Sequence, residues 1–122
     1  MKRVLDVGNC SPDHGSLTDV LSANFAVEIV QAHGQAEALD ALQGSSFDLV
    51  TINRLMDRDG ASGMEIVRAI KSDPALAEVP VILITNFPEY QEQAVAAGAV
   101  PGFGKKNLRT PETVDLLRPY LS

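Results

Sequence analysis

The chain has 122 residues, the size of one ordinary domain, and a formal net charge of −6. That acidity argues against a nucleic-acid or anionic-membrane surface, since both need a basic face. One cysteine, Cys10, excludes an internal disulfide and fits a reducing compartment, and no stretch has the apolar length of a secretory signal or a membrane span, so the expected location is the cytoplasm.

Taken in chain order, Lys2 to Val7 reads as the first strand. Ser11-Pro12-Asp13 then supplies a helix start, with Ser11 as N-cap and Leu17, Val20 and Leu21 at helical spacing behind it. Val27 to Val30 is the second strand. Gln35 to Gln43 is an alanine-rich second helix that Gly44 closes. Phe47 to Ile52 is a third strand with few polar positions, the pattern of burial on both faces. Ser62-Gly63-Met64-Glu65 matches a capping box, and Met64, Ile66, Val67 and Ile70 give the third helix its apolar side. Val79 to Ile84 is the fourth strand. Pro88 opens a fourth helix that ends at Gly98, and a brief fifth strand is expected over Ala99 to Phe103. Thr110-Pro111-Glu112 starts a last helix carrying Val114, Leu117 and Leu121.

Strands that alternate strictly with helices imply an α/β fold, a parallel sheet with helices on both faces. The last helix signal runs almost to Ser122, so residues 1–122 are expected to form a single domain with no output domain. In such sheets functional groups gather beyond the carboxyl ends of the strands. Here those positions hold Gly8 and Asn9, Asn53, Thr85, and Lys105 with Lys106.

Those positions also carry a family resemblance. Phe47 to Asn53 runs into a loop and a Gly63–Glu65 helix start; Val79 to Thr85 follows, then Ala96 to Ala99, then a lysine beyond Gly98. In order and spacing the chain resembles the receiver domain of two-component response regulators along essentially its whole length. The resemblance implies a flavodoxin-like, three-layer, doubly wound sheet of five parallel strands in the order 2-1-3-4-5 with five helices. It also implies a site. The family's acidic pair falls on Gly8 and Asn9, its phosphoacceptor aspartate on Asn53, its switch hydroxyl on Thr85, and its lysine on Lys105, or on Lys106 if the loop is counted differently. Phe103 lies near the place of the family's switch aromatic. The proline that usually follows the lysine is absent, the loop from Asn53 to Gly63 is longer than usual and the fourth helix shorter.

Aspartyl phosphorylation needs a carboxylate oxygen to attack phosphorus and a Mg²⁺ held by carboxylates to neutralise the phosphoryl oxygens. Asn53 has a poorly nucleophilic carboxamide, Gly8 has no side chain, and Asn9 is neutral. No metal and no other cofactor is therefore expected, and no enzymatic activity. The pocket lysine is expected to reach solvent or to donate to the Asn53 and Asn9 carbonyl oxygens.

Several residues outside that set carry two readings. Asp6, inside an otherwise apolar strand, either sits near a strand end or pairs with a base such as Lys105, or is a displaced pocket carboxylate. Asp57, Arg58 and Asp59 form either a solvated charged loop or a source of a substitute acid. Thr85 either works as a switch hydroxyl or caps the fourth helix, which Pro88 opens. Cys10 is expected to be an inert, half-buried thiol. His14 and His33 lack a third metal ligand at suitable spacing.

The function expected is a stand-alone receiver-like module in phosphorelay signalling, a pseudo-receiver acting by phosphate-independent protein–protein contact. Its partners would be a histidine kinase or a downstream effector. They would dock on the face built from helix four, strand five and helix five, with Phe87 and Tyr90 as contacts. Two alternatives stand beside it: a phosphorylatable receiver that uses a displaced acid such as Asp57, and a flavodoxin-like binder of a flavin or nucleotide.

Overall fold

The computed structural model describes all 122 residues, Met1–Ser122. Lys2–Val7 forms β1, Ser11–Asn24 α1, Val27–Ala32 β2, Gln35–Gly44 α2, Leu49–Asn53 β3, Gly63–Ser72 α3, Val81–Ile84 β4, Pro88–Ala96 α4 and Pro111–Leu121 α5, with a 3₁₀ turn at Lys105–Asn107. The strands are parallel, in the order β2-β1-β3-β4.

Period-two alternation assigns the helices to their sides of this sheet. Leu5, Val7, Val50, Ile52, Val81 and Leu83 point one way, into a core shared with α2, α3 and α4. Val4, Leu49, Ile82 and Ile84 point the other way, against Leu17, Val20 and Leu21 of α1 and Leu117 and Leu121 of α5. Asp6 and Thr51 belong to this second face by the same alternation, and both are fully buried.

The fifth strand expected over Ala99 to Phe103 is not formed. The segment runs beside β4 but keeps two bonds to it: Val100 N–H donates to Val81 O (2.9 Å), and Thr85 N–H donates to Phe103 O (3.1 Å). Between them Gly102 N–H and Leu83 O, the pair that would carry the next ladder bond, do not meet. The α4 side chain Gln91 fills the gap, its Nε2 donating to Leu83 O (2.8 Å) and its Oε1 accepting from Gly102 N–H (3.0 Å). One side-chain amide thus replaces a ladder bond, and the sheet has four strands.

Smaller differences have equally local causes. β3 begins at Leu49 because the Asp48 carboxylate takes the Arg3 amide (2.8 Å). Cys10, not Ser11, holds the N-cap position of α1. Ser62 is the N-cap of α3, but the capping box is not made, since Glu65 pairs with Arg68 (2.6 Å). Gly44 is the last residue of α2 rather than its cap.

Candidate functional site

The crevice lies past the ends of β1, β3 and β4. Gly8 turns the chain out of β1 at φ +84°, a conformation that side chains rarely adopt. A Cβ there would fall inside the van der Waals shell of Met56 Sδ and Cε. Met56 is buried, so the space beside position 8 belongs to a thioether. At the end of β3, Asn53 Nδ2 donates to Leu55 O (2.7 Å), which ties the amide back into its own loop.

Thr85 is buried and does not cap α4, whose N-cap position is held by Phe87; its Oγ accepts from Phe87 N–H (3.2 Å) in the turn before the helix. With Asn53, Arg54, Leu55, Asn86, Phe87 and Lys105 it surrounds a cavity of about 190 Å³. Lys105 does not donate to Asn53 or Asn9, as the sequence led us to expect. Its Nζ reaches Asp13 Oδ2 in the first turn of α1 (2.6 Å). That hydrogen bond holds the Asp13 carboxyl below its ordinary range, although partial burial opposes the shift. Lys106 uses its amide to bond Asn86 Oδ1 (3.3 Å), and its ammonium has no acid partner. Phe103 is buried against the α1/α5 core.

Asp6 lies one residue before the end of β1 and pairs with a base, His14 instead of Lys105. It faces the α1/α5 layer, is fully buried, and does not meet Lys105. Its Oδ1 accepts from Asn9 Nδ2 (2.8 Å) and Thr51 Oγ (2.9 Å), and its Oδ2 lies 2.7 Å from His14 Nδ1. Gln31 Nε2 adds a bond to Asn9 O (3.1 Å). Sequence reasoning missed this network and missed Asp13. The available signal was spacing: residues 13 and 14 fall in the first turn of α1, directly over the end of β1.

Asp57 lies in the loop over Gly8, its amide donating to Gly8 O (3.0 Å), but its carboxylate faces His33 Nδ1 (3.3 Å) on the β2 side. Asp59 accepts from Ala61 N–H (2.9 Å) within the loop, and Arg58 meets Glu37 (3.4 Å). No three His, Cys, Asp or Glu side chains converge to hold a metal ion. Cys10 is exposed rather than half-buried.

Beside the crevice, Arg54 stacks its guanidinium on Phe87 (5.4 Å) and Tyr90 (4.8 Å), whose rings meet edge to face at 6.1 Å. Phe87 is 48% exposed, Leu55 42% and Val95 44%, and these are the large apolar side chains exposed outside the N-terminal methionine.

This arrangement is similar to known proteins. A sequence model of the response regulator receiver domain matches residues 14–117. The polar-differentiation response regulator DivK of Brucella ovis is 25% identical over 104 residues, covering 84% of this chain and 82% of that protein. The signal receiver domain of a DNA-binding response regulator (merR) from Colwellia psychrerythraea superposes with a TM-score of 0.82 at 26% identity, over 98% of this chain and 97% of that one. Response regulator TrrA from Thermotoga maritima, solved in complex with Mg²⁺-BeF, shares the fold with a TM-score of 0.80 at 24% identity, over 99% and 100% of the two chains.

Proposed function

The chain belongs to the response regulator receiver domain family of two-component signalling, and from that premise we propose that it signals without taking a phosphoryl group. The observation that carries this reading is the lining of the crevice. Asn53 offers an amide already bonded to Leu55 O, and Met56 fills the space beside Gly8. Asn9 turns its Nδ2 to Asp6. A hard divalent cation seeks carboxylate oxygens, and the residues here do not fit one. The oxygens of the buried Asp6 are taken by Asn9, Thr51 and His14, and the Asp13 carboxylate is held by Lys105. We therefore assign no catalytic step to the chain.

The reading built on a displaced acid loses support from the same geometry. Asp57 would have to leave His33 and cross the end of β1 to meet the Thr85–Lys105 side. The flavin or nucleotide reading has no specific observation in its favour.

A receiver that does not take phosphate acts through its surface. We assign partner contact to the α4 region, where Arg54, Phe87 and Tyr90 form a cation–aromatic patch with Leu55 beside it, and the partner to a histidine kinase or a downstream effector. The test is an amide NMR spectrum with and without Mg²⁺ and beryllofluoride, which mimics an acyl phosphate on an aspartate. Unchanged resonances for residues 53, 85 and 105 support the proposal. Saturable shifts there refute it.

A further inference from the structure

Arg3, Arg58, Arg68 and Arg118 each pair with a carboxylate of the chain. Arg54 pairs with none, although Asp and Glu outnumber Lys and Arg by 16 to 10. Its Cζ lies 4.8 Å from the Tyr90 ring centre and 5.4 Å from that of Phe87. Aromatic rings take up the flat sides of a guanidinium and leave its N–H edges, the groups that grip a carboxylate. No acceptor of the chain takes those N–H groups, and they are not walled in: the only buried side-chain polar atom without a partner is Asn9 Oδ1. The Arg54 nitrogens are open to solvent.

Arg54 shares the 190 Å³ cavity with Leu55 and Phe87, two of the few large apolar side chains that the chain exposes. The other base on that wall, Lys105, is already neutralised by Asp13 (2.6 Å). The cavity therefore carries one uncompensated positive charge beside apolar surface. Its complement is one carboxylate beside an apolar side chain. A phosphoryl group, with close to two negative charges at neutral pH, would leave charge unmatched.

We propose that Arg54 anchors the partner by gripping an aspartate or glutamate side chain of that protein, while an apolar residue next to the acid packs on Leu55 and Phe87. The inference rests on the assignment of partner contact to the α4 region and gives that contact its chemistry. Two parallel N–H bonds from the ring-held guanidinium hold the carboxylate. The negative charge that Asn53 does not supply is then brought to the crevice by the partner.

The experiment is an NMR titration of the intact ¹⁵N-labelled chain with three blocked peptides: acetyl-Leu-Glu-Leu-amide and its glutamine and phosphoserine counterparts. The glutamate peptide is expected to shift the Arg54 side-chain resonances and the Leu55, Phe87 and Tyr90 amides saturably, with a dissociation constant below about 10 mM. The glutamine peptide is expected to bind at least about fivefold more weakly, since an amide does not match the guanidinium fork. The phosphoserine peptide is expected to bind no more tightly than the glutamate one. Arg54→Gln is expected to abolish the preference for glutamate over glutamine. No saturable shift at Arg54, equal binding of the glutamate and glutamine peptides, tighter binding of phosphoserine, or an unchanged preference in Arg54→Gln would each overturn the inference. The α4 assignment itself is judged separately, by whether Tyr90→Ala loses the native partner.

Discussion

At position 8 a positive φ and a neighbouring thioether together disfavour any side chain, a carboxylate included. Gly8→Asp is expected to destabilise the chain by about 1–3 kcal/mol, through the left-handed backbone and the displaced Met56. Met56→Ala should relieve part of that cost, and a double-mutant cycle in chemical denaturation measures the coupling. Asp6 is a second pivot. Asp6→Ala leaves the buried Asn9 and Thr51 donors and the half-buried His14 without their acceptor, and a loss of about 1–3 kcal/mol is expected in the same assay. The Asp13–Lys105 pair sets a pH dependence. Because the folded-state pKa of Asp13 lies below its ordinary 3.8, the pair stabilises the fold above that value, and the contribution is lost as pH falls through the lowered one. The groups are well exposed, so the effect is no more than about 1 kcal/mol. Melting temperatures of the native chain and Lys105→Met should therefore differ near neutral pH and converge in strong acid. Of these residues, Gly8, Asn9 and Asn53 could be read from the sequence by their place after strands. Asp13 was legible only through its place in the first turn of α1, and Met56 was not, because a loop brings it beside Gly8 from outside those positions.

Element by element, the strands and helices could be read from apolar runs and Pro or Thr starts, and Thr110 does cap α5 by accepting from Thr113 N–H. The fifth strand failed for a reason outside local pattern. Gln91, on the preceding helix α4, supplies an amide that bridges Leu83 O and Gly102 N–H in place of a direct ladder bond. A residue that replaces part of a sheet ladder from another element has no signature in its own neighbourhood. Gln91→Leu is expected to leave Leu83 O and Gly102 N–H unmatched, costing about 1–3 kcal/mol and speeding hydrogen exchange at Gly102. Unchanged exchange there would mean that the segment does not depend on the amide. The missing capping box has a similar origin. Glu65 pairs with Arg68, one turn on, instead of turning back to the Ser62 amide.

For the whole molecule, alternation of strands and helices sufficed to place the chain in a parallel α/β architecture, and the order of its motifs pointed to the receiver family, to which the chain belongs. The wiring of the charges was not legible, because salt bridges join elements far apart in sequence, Lys105 to Asp13 and His33 to Asp57 among them. Tyr90→Ala should lower the affinity for a cognate kinase or effector in a pull-down while the melting temperature changes little, since Tyr90 is only partly buried. The central claim, that the crevice cannot carry a phosphoryl group, is tested most directly by intact mass spectrometry after incubation with acetyl phosphate and Mg²⁺. The account predicts the unmodified mass for the native chain. An added phosphoryl group, mapped to Asp57 or to any other side chain of the crevice, would contradict it.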